Sequence, residues 1–309
     1  MLISHNNRIT QLLLQLIILS SIVPSYLYYL AFNILIISSY NYINQINHSQ
    51  MGVFRVTIYG IMAGVFLYAL GYDILYMPRI GHTWWIYKLV MLTMSNLVLQ
   101  AIYYAICFVC SLMDTLRETT DHGPHTKHPT TPSYWRNSKL HRISDFMYFT
   151  SVLPVGAATC LLFWFLYAME PALVMPKWIE DLIPPFMNHI THTAPLPFIL
   201  VDTLLTCHRA PSRKTGSAVI VALVLFYFCV IFGVRYFDGY WLYPFMEYLS
   251  VITFAIMFLV SFVFLWLIYI LGDTMNVMLW GKSIRFQLNL INSNDIFFRL
   301  DNLKDQKML

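Results

Sequence analysis

Three polar residues follow one another at helical spacing within a mostly apolar, uncharged stretch, residues 89–113. Thr93, Asn96 and Gln100 stand at positions i, i+3 and i+7, so a helix would place them on one face. Polar side chains are costly in lipid and therefore face a bundle interior, where they mark candidate sites. A purely structural interpretation is also open, with Thr93 bonded to the carbonyl of Leu89 and the two amides joining helices.

A second polar cluster lies in residues 182–205. Asn188 and His192 stand at i and i+4 and share a helical face, and His189 is close enough to be a second candidate. An imidazole buried at this depth needs hydrogen-bond partners on both nitrogens. The pattern favours a site, although a structural role for one of the histidines is equally compatible with it.

The two clusters are expected at the same depth. Counted from the ends at which their helices enter the membrane, Thr93 lies about 10 Å down and His192 about 12 Å down. A hydroxyl and an imidazole that meet there are the minimum for acyl transfer, because the imidazole takes the proton, the oxygen attacks a carbonyl and water later frees the acyl group. Asn188 or Asp202 could orient the imidazole.

Composition identifies the elements that must position these residues. Of 309 residues, 11% are charged and 58% are hydrophobic, whereas a water-soluble globular protein needs roughly a quarter charged. Within lipid each segment must satisfy its own backbone, so uncharged stretches of about 20 residues are expected to be helices. The sequence therefore predicts an all-α, polytopic membrane helix bundle from seven such stretches: 9–54, 56–72, 89–113, 146–169, 182–201, 215–234 and 248–272.

The distribution of basic residues predicts the orientation. If the loops alternate between the two sides, 14 of the 19 Lys and Arg residues fall on the side that holds the C-terminal tail and 5 fall on the other. The positive-inside rule then places the tail in the cytoplasm. The first hydrophobic segment, within residues 12–37, is expected to be retained, because its removal as a signal peptide would invert every later loop, and an interfacial or re-entrant position is left open. The protein is expected in the plasma membrane or an endomembrane.

Neither a metal nor a cofactor is predicted. The polar loop of residues 114–144 carries His122, His125 and His128, but its prolines disfavour the helix that would align them, and a solvated loop is the favoured interpretation. The net charge of +4 is attributed to orientation and not to nucleic-acid binding. No obligate protein partner is expected.

Several motifs, in order along the chain, resemble the family of androgen-induced and androgen-dependent TFPI-regulating proteins. The resemblance extends over about residues 53–280, and the motifs that carry it are residues 88–100, 146–167, 188–198, 211–213 and 240–247.

The resemblance implies a multi-pass carboxylic ester hydrolase that cleaves fatty acid esters of hydroxy fatty acids with a threonine nucleophile and a histidine. It implies Thr93 as the nucleophile and His192, the second histidine of the Asn-His-x-x-His pattern, as its partner. Asn188, Asn96 and Asp202 are supporting candidates. Asn96 stands where some members carry Asp, which puts an acidic helper in question.

The resemblance also implies a domain organisation. A six-helix hydrolase core at 53–280 would be preceded by an N-terminal extension at 1–52 with one extra hydrophobic segment, and followed by a cytoplasmic tail at 281–309. The acyl chains of the substrate would lie among aromatic residues such as Trp164, Phe163 and Phe198.

Two other functions compete with the hydrolase. A seven-helix receptor fits seven spans with the N-terminus outside, but the sequence lacks an Asp-Arg-Tyr triplet at the third span and an outer cysteine pair. A membrane protein that keeps the hydrolase scaffold but only binds lipid or a regulatory partner is the second alternative.

Overall fold

The structure is a computed structural model that describes residues 48–78, 84–120 and 138–305. The N-terminal hydrophobic segment and the three loop histidines, His122, His125 and His128, on which two of the expectations above fall, lie outside these residues. Residues 114–120 and 139–144, which the sequence assigned to that loop, are helical. The α-helices of the described part are α1 His48–Tyr76, α2 Trp84–Leu89, α3 Leu92–Thr120, α4 Lys139–Met147, α5 Leu153–Met169, α6 Lys177–Glu180, α7 Pro185–His192, α8 Pro195–Leu205, α9 Arg213–Asp238 and α10 Val251–Asp305, and short 3₁₀-helices lie at Pro171–Leu173 and Pro244–Tyr248.

The predicted all-α, polytopic membrane bundle is confirmed. Within the described ranges, five helical segments are long and apolar enough to cross a membrane, and every regular element is helical. They correspond to five of the seven uncharged stretches: Met51–Tyr76, Leu92–Leu116, Lys139–Met169, Arg213–Asp238 and Val251–Gly281.

The third of these segments starts earlier than the sequence predicts. Ser138 caps α4 by accepting a hydrogen bond from the amide of His141, and the helix then continues through a single π-turn, Tyr148–Val152, into α5. Pro154, near the start of α5, cannot donate a backbone hydrogen bond, and such turns accommodate the missing bond. The span is therefore Lys139–Met169 rather than 146–169.

The predicted single helix at 182–201 is wrong. The chain forms two short helices, α7 and α8, separated at Thr193 and Ala194, whose amides both donate to the carbonyl of His189. Pro195 lacks an amide hydrogen and its ring blocks the preceding turn, so a regular helix cannot continue through it. As a result His192 is the last residue of α7 and does not lie in the middle of a span.

Aromatic side chains fill the core between α1, α3 and α8. Phe66 of α1 stacks on Tyr104 of α3 with ring centroids 5.6 Å apart, and Phe198 of α8 meets Phe66 edge-on at 5.5 Å. Phe66 and Tyr104 are fully buried, and such pairs contribute beyond their apolar area. This packing fixes α3, which carries the first polar cluster, and α8, which follows the helix with the second.

Candidate active site

The hydroxyl of Thr93 lies 3.1 Å from Nε2 of His192. Thr93 is the second residue of α3, and His192, with 7% of its surface exposed, is the last residue of α7. The carbonyl of Leu89, which the structural interpretation assigned to Thr93, accepts a hydrogen bond from Ser95. The structure thus brings together the two residues that the sequence singled out.

The surroundings of Nδ1 define the tautomer of the neutral imidazole. Three oxygens surround this nitrogen: the side-chain oxygen of Asn188 at 2.7 Å, the backbone oxygen of Asn188 at 3.2 Å and the hydroxyl of Thr191 at 3.1 Å. The Thr191 hydroxyl donates to the carbonyl of Met187, so all three oxygens are available to accept a hydrogen bond from Nδ1. The proton therefore belongs on Nδ1, and Nε2 presents its lone pair to Thr93.

Aromatic residues of α5 hold the imidazole from the other side. The Phe163 ring stacks on the His192 ring, with centroids 3.6 Å apart and planes 12° from parallel. The indole nitrogen of Trp164 donates to the His192 carbonyl at 3.0 Å and to the Thr193 hydroxyl at 3.2 Å. Phe163 thus packs against the ring, and Trp164 holds the backbone of His192 at the end of α7.

The second candidate histidine is not part of this contact. His189 is exposed, and its Nδ1 lies 3.2 Å from the hydroxyl of Thr193. Its ring stacks against Trp164 at 6.0 Å. Of the two histidines, His192 is the one whose ring reaches the Thr93 hydroxyl.

Two tyrosines fix the start of α3, immediately before Thr93. The amide of Leu92 donates to the hydroxyls of Tyr227, at 3.0 Å, and Tyr243, at 3.2 Å, and these hydroxyls are 2.7 Å apart. Sequence reasoning missed both tyrosines, which are separated from Leu92 by 135 and 151 residues. One signal was present, since Tyr243 belongs to the 240–247 motif.

Asn96 and Gln100 continue the polar face of α3 away from Thr93. Both are fully buried. The Gln100 amide donates to the side-chain oxygen of Asn96 at 3.1 Å and to the carbonyl of Val152 at 3.4 Å. A Cβ atom at Gly156 would stand 2.5 Å from the Gln100 side-chain nitrogen, so a glycine there leaves room for the pair. The side-chain nitrogen of Asn96 has no hydrogen-bond partner among the described residues.

The expectation that Asp202 could orient His192 is not met. Asp202, ten residues further along the chain, accepts hydrogen bonds from Tyr59 and Tyr103, and His208 Nε2 lies 3.1 Å from its carboxylate. His192 ends α7 and Asp202 lies on α8, and the Asp202 side chain belongs to a different buried polar network. The other members of that network are Arg55, Asp114, His141, Asp145 and Thr206.

The aromatic residues expected to surround an acyl chain divide in the same way. Phe163 and Trp164 contact His192, whereas Phe198 packs against Phe66 and Tyr104 in the core. A cavity of about 280 Å³ lies beside the site and shares Asn188 with it. Its lining residues are Met175, Glu180, Asp181, Leu182, Ile183, Pro184, Pro185, Asn188 and His189.

Comparison with known proteins accounts for this arrangement of motifs. The family model described as FAR-17a/AIG1-like protein matches residues 29–277. The chain belongs to this family. Over 192 residues it is 29% identical to the androgen-induced gene 1 protein of Homo sapiens, and the aligned region covers 62% of this chain and 77% of that protein.

The chain is also similar to androgen-dependent TFPI-regulating proteins. The chain is 31% identical over 190 residues to the androgen-dependent TFPI-regulating protein of Homo sapiens, covering 62% of this chain and 76% of the relative. It is 31% identical over 195 residues to the protein of that name from Mesocricetus auratus, covering 63% and 78%. No solved structure matches the chain.

Proposed function

We propose that this protein is an intramembrane carboxylic ester hydrolase that cleaves fatty acid esters of hydroxy fatty acids, with Thr93 as nucleophile and His192 as general base. One observation carries the proposal: the 3.1 Å contact between the Thr93 hydroxyl and Nε2 of His192. The opposite ring nitrogen, Nδ1, faces three oxygens that can accept a hydrogen bond from it, so Nε2 is available as a base. A hydroxyl, an imidazole and a group that orients the imidazole are the parts required for nucleophilic acyl transfer.

In the first half of the reaction the ester is cleaved. Nε2 of His192 takes the proton of Thr93 as Oγ1 bonds to the ester carbonyl carbon, and the carbonyl electrons move to oxygen. When the C=O bond re-forms, the bond to the alkoxy oxygen breaks and that oxygen takes the proton from Nε2. The hydroxy fatty acid leaves, and the fatty acyl group stays on Thr93 as an ester.

In the second half water replaces the alcohol. Nε2 of His192 takes a proton from a water molecule whose oxygen attacks the acyl-Thr93 carbonyl. Collapse of this intermediate breaks the bond to Thr93 Oγ1, which recovers the proton from His192, and the fatty acid is released. Asn188 stabilises the imidazolium in both halves, because its side-chain oxygen lies 2.7 Å from Nδ1.

The surroundings of the site suit a lipid substrate. Phe163 and Trp164 supply an apolar wall beside His192, and the exposed apolar side chains of the long helices face the lipid from which such an ester would enter. The cavity at Asn188 includes two acidic residues, Glu180 and Asp181, and it supplies the route for water.

The experiment compares ester hydrolysis by membranes that contain equal amounts of each variant. Thr93→Ala and His192→Ala are expected to abolish cleavage of a palmitoyl ester of hydroxystearic acid, and Thr93→Ala also to abolish covalent labelling by a fluorophosphonate. The matched control is Thr274→Ala, an exposed helical threonine whose hydroxyl donates to the carbonyl of Ile270. Full activity of Thr93→Ala would contradict the proposal.

The proposed orientation puts the tail, residues 281–309 with the last part of α10, in the cytoplasm and the Thr93 end of α3 near the opposite face. The 14 to 5 division of basic residues supports it. An epitope tag at the C-terminus should be stained after selective permeabilisation of the plasma membrane with digitonin, whichever membrane holds the protein. A tag that stays protected until all membranes are dissolved would reverse the orientation.

A further inference from the structure

We propose that Asn96 supplies the oxyanion-stabilising hydrogen bond of this site, with its side-chain Nδ2 donating to the carbonyl oxygen of the ester as negative charge develops there. The inference rests on the proposed hydrolase function and extends it. It assigns a catalytic role to a residue whose amide otherwise makes a single hydrogen bond in the described part of the chain, as an acceptor from Gln100.

The unpartnered donor is the observation from which the inference starts. Asn96 is fully buried, and its Nδ2 has no hydrogen-bond partner among the described residues. Burial of an amide donor without an acceptor costs free energy, so buried donors are almost always satisfied. A donor left without a partner inside a bundle is explained if its acceptor arrives with the substrate.

Neighbouring groups determine which end of the Asn96 amide is available. Gln100 donates to Oδ1 of Asn96 at 3.1 Å, and the Gln100 nitrogen is also held by the carbonyl of Val152 at 3.4 Å. Gly156 leaves space for this contact, since a Cβ atom there would come within 2.5 Å of the Gln100 nitrogen and 3.6 Å of the Asn96 oxygen. Oδ1 is therefore occupied, and Nδ2 is the end that remains.

Position on α3 relates Asn96 to the nucleophile. Thr93 and Asn96 are three residues apart in a regular helix, which places their Cβ atoms about 5–6 Å apart on one face. When Thr93 Oγ1 bonds to the carbonyl carbon of the ester, the carbonyl oxygen lies one bond beyond that carbon. The side chain of an asparagine on the next turn can reach an oxygen at that position. Gln100 lies one turn beyond Asn96. It holds the side-chain amide of Asn96 and does not itself reach the carbonyl of the ester.

The chemistry requires a donor that acts on the transition state. During attack by Thr93, the carbonyl oxygen changes from a weak acceptor into an oxyanion, and a fixed donor in a water-poor site stabilises the oxyanion far more than the starting ester. An amide donor is present at any pH, whereas a carboxyl group donates only while protonated. The neutral side chain thus gives this chain a permanent donor.

The test compares Asn96→Leu with Gln100→Leu, because both break the Asn96–Gln100 hydrogen bond but only the first removes the Nδ2 donor. Each variant is assayed in membranes with a palmitoyl ester of hydroxystearic acid and with its thionoester, in which sulfur, a poor acceptor, replaces the carbonyl oxygen. Asn96→Leu is expected to lower kcat for the oxygen ester by about 10²- to 10³-fold with little change in KM. For this variant the ratio of kcat for the oxygen ester to kcat for the thionoester should fall toward one.

Gln100→Leu is expected to lose less than about tenfold in kcat while keeping the preference of the wild type for the oxygen ester. Thermal unfolding midpoints in detergent establish that both variants are folded, and Ser95→Ala serves as the substitution control on the same helix. Retention of kcat in Asn96→Leu, or a loss with an unchanged oxygen-to-sulfur preference, would overturn the assignment. Full activity of Thr93→Ala would instead overturn the hydrolase itself, so the two failures are distinguishable.

Discussion

The side-chain oxygen of Asn188 lies 2.7 Å from Nδ1 of His192, one turn earlier on the same short helix. A neutral carboxamide therefore takes the place that a carboxylate holds in a Ser-His-Asp triad, as in Cys-His-Asn sites. It selects the tautomer with the proton on Nδ1, but it stabilises the imidazolium less than a carboxylate would.

Replacement of Asn188 by alanine should lower kcat by about 10- to 100-fold, a fraction of the 10²–10⁴ that a general base contributes. The loss is partial because the backbone oxygen of Asn188, 3.2 Å from Nδ1, remains. Asn188→Asp restores an acceptor and should stay within about tenfold of the wild type. The kcat of both variants is measured by ester hydrolysis in membranes. An alanine variant as fast as the wild type would show that Asn188 has no role in catalysis.

The tyrosine pair at the start of α3 should show a coupled effect. Tyr227→Phe and Tyr243→Phe each remove one acceptor of the Leu92 amide and are each expected to cost about 1 kcal/mol. The double variant should cost more than the sum, because either hydroxyl alone can still accept from the amide. Unfolding in detergent and kcat are measured together, with Tyr236→Phe, whose side chain is exposed, as the control. Strict additivity would show that the two hydroxyls act independently.

Gly156→Ala should destabilise the bundle by about 1–3 kcal/mol. Its Cβ atom would stand 2.5 Å from the Gln100 nitrogen and 2.7 Å from Cδ1 of Ile199. Gly64→Ala adds a Cβ atom that meets nothing within 4 Å, and it should leave stability unchanged or raise it by about 0.5–1 kcal/mol, since glycine is unfavourable inside helices. Unfolding midpoints in detergent compare the two; equal midpoints would mean that α3 and α5 are not packed this closely.

Asp202→Asn should act on stability and leave the chemistry unchanged. It replaces the carboxylate that Tyr59, Tyr103 and His208 share by a neutral amide, and the loss of a buried hydrogen bond to a charged group typically costs about 1.5–3 kcal/mol. Activity per fluorophosphonate-labelled molecule should remain at the wild-type level. Asp273→Asn, in the 3.9 Å pair with the exposed Arg213, is the control and should cost less than about 1 kcal/mol. A drop in activity per labelled molecule at normal stability would connect Asp202 to the site.

The similar depth of Thr93 and His192 could be estimated from the sequence by counting residues along each segment. Depth alone does not bring two side chains together: Thr93 is the second residue of α3 and His192 is the eighth of α7, and their contact depends on how the two helices pack. The contact of Asn188 with His192 follows from their i, i+4 spacing, which the two turns of α7 preserve. That inference uses local geometry, which sequence specifies well.

The missed features depend on tertiary contacts. Pro195 was seen as a bend, but the complete separation of α7 from α8, and with it the distance of Asp202 from His192, required the packing of the neighbouring helices. The contacts of Leu92 with Tyr227 and Tyr243 join residues more than 130 positions apart, and no periodicity in the sequence relates them. The unpartnered nitrogen of Asn96 is likewise apparent only once every neighbour has a position.

The break between α7 and α8 has an electrostatic consequence. It makes His192 the last residue of one helix, while Thr93 is the second residue of another. Aligned peptide dipoles give a helix partial positive charge at its beginning and partial negative charge at its end. A proton that moves from Thr93 to His192 leaves an anion at the positive pole of α3 and creates a cation at the negative pole of α7, so the backbone of both helices favours the charge separation on which catalysis would depend.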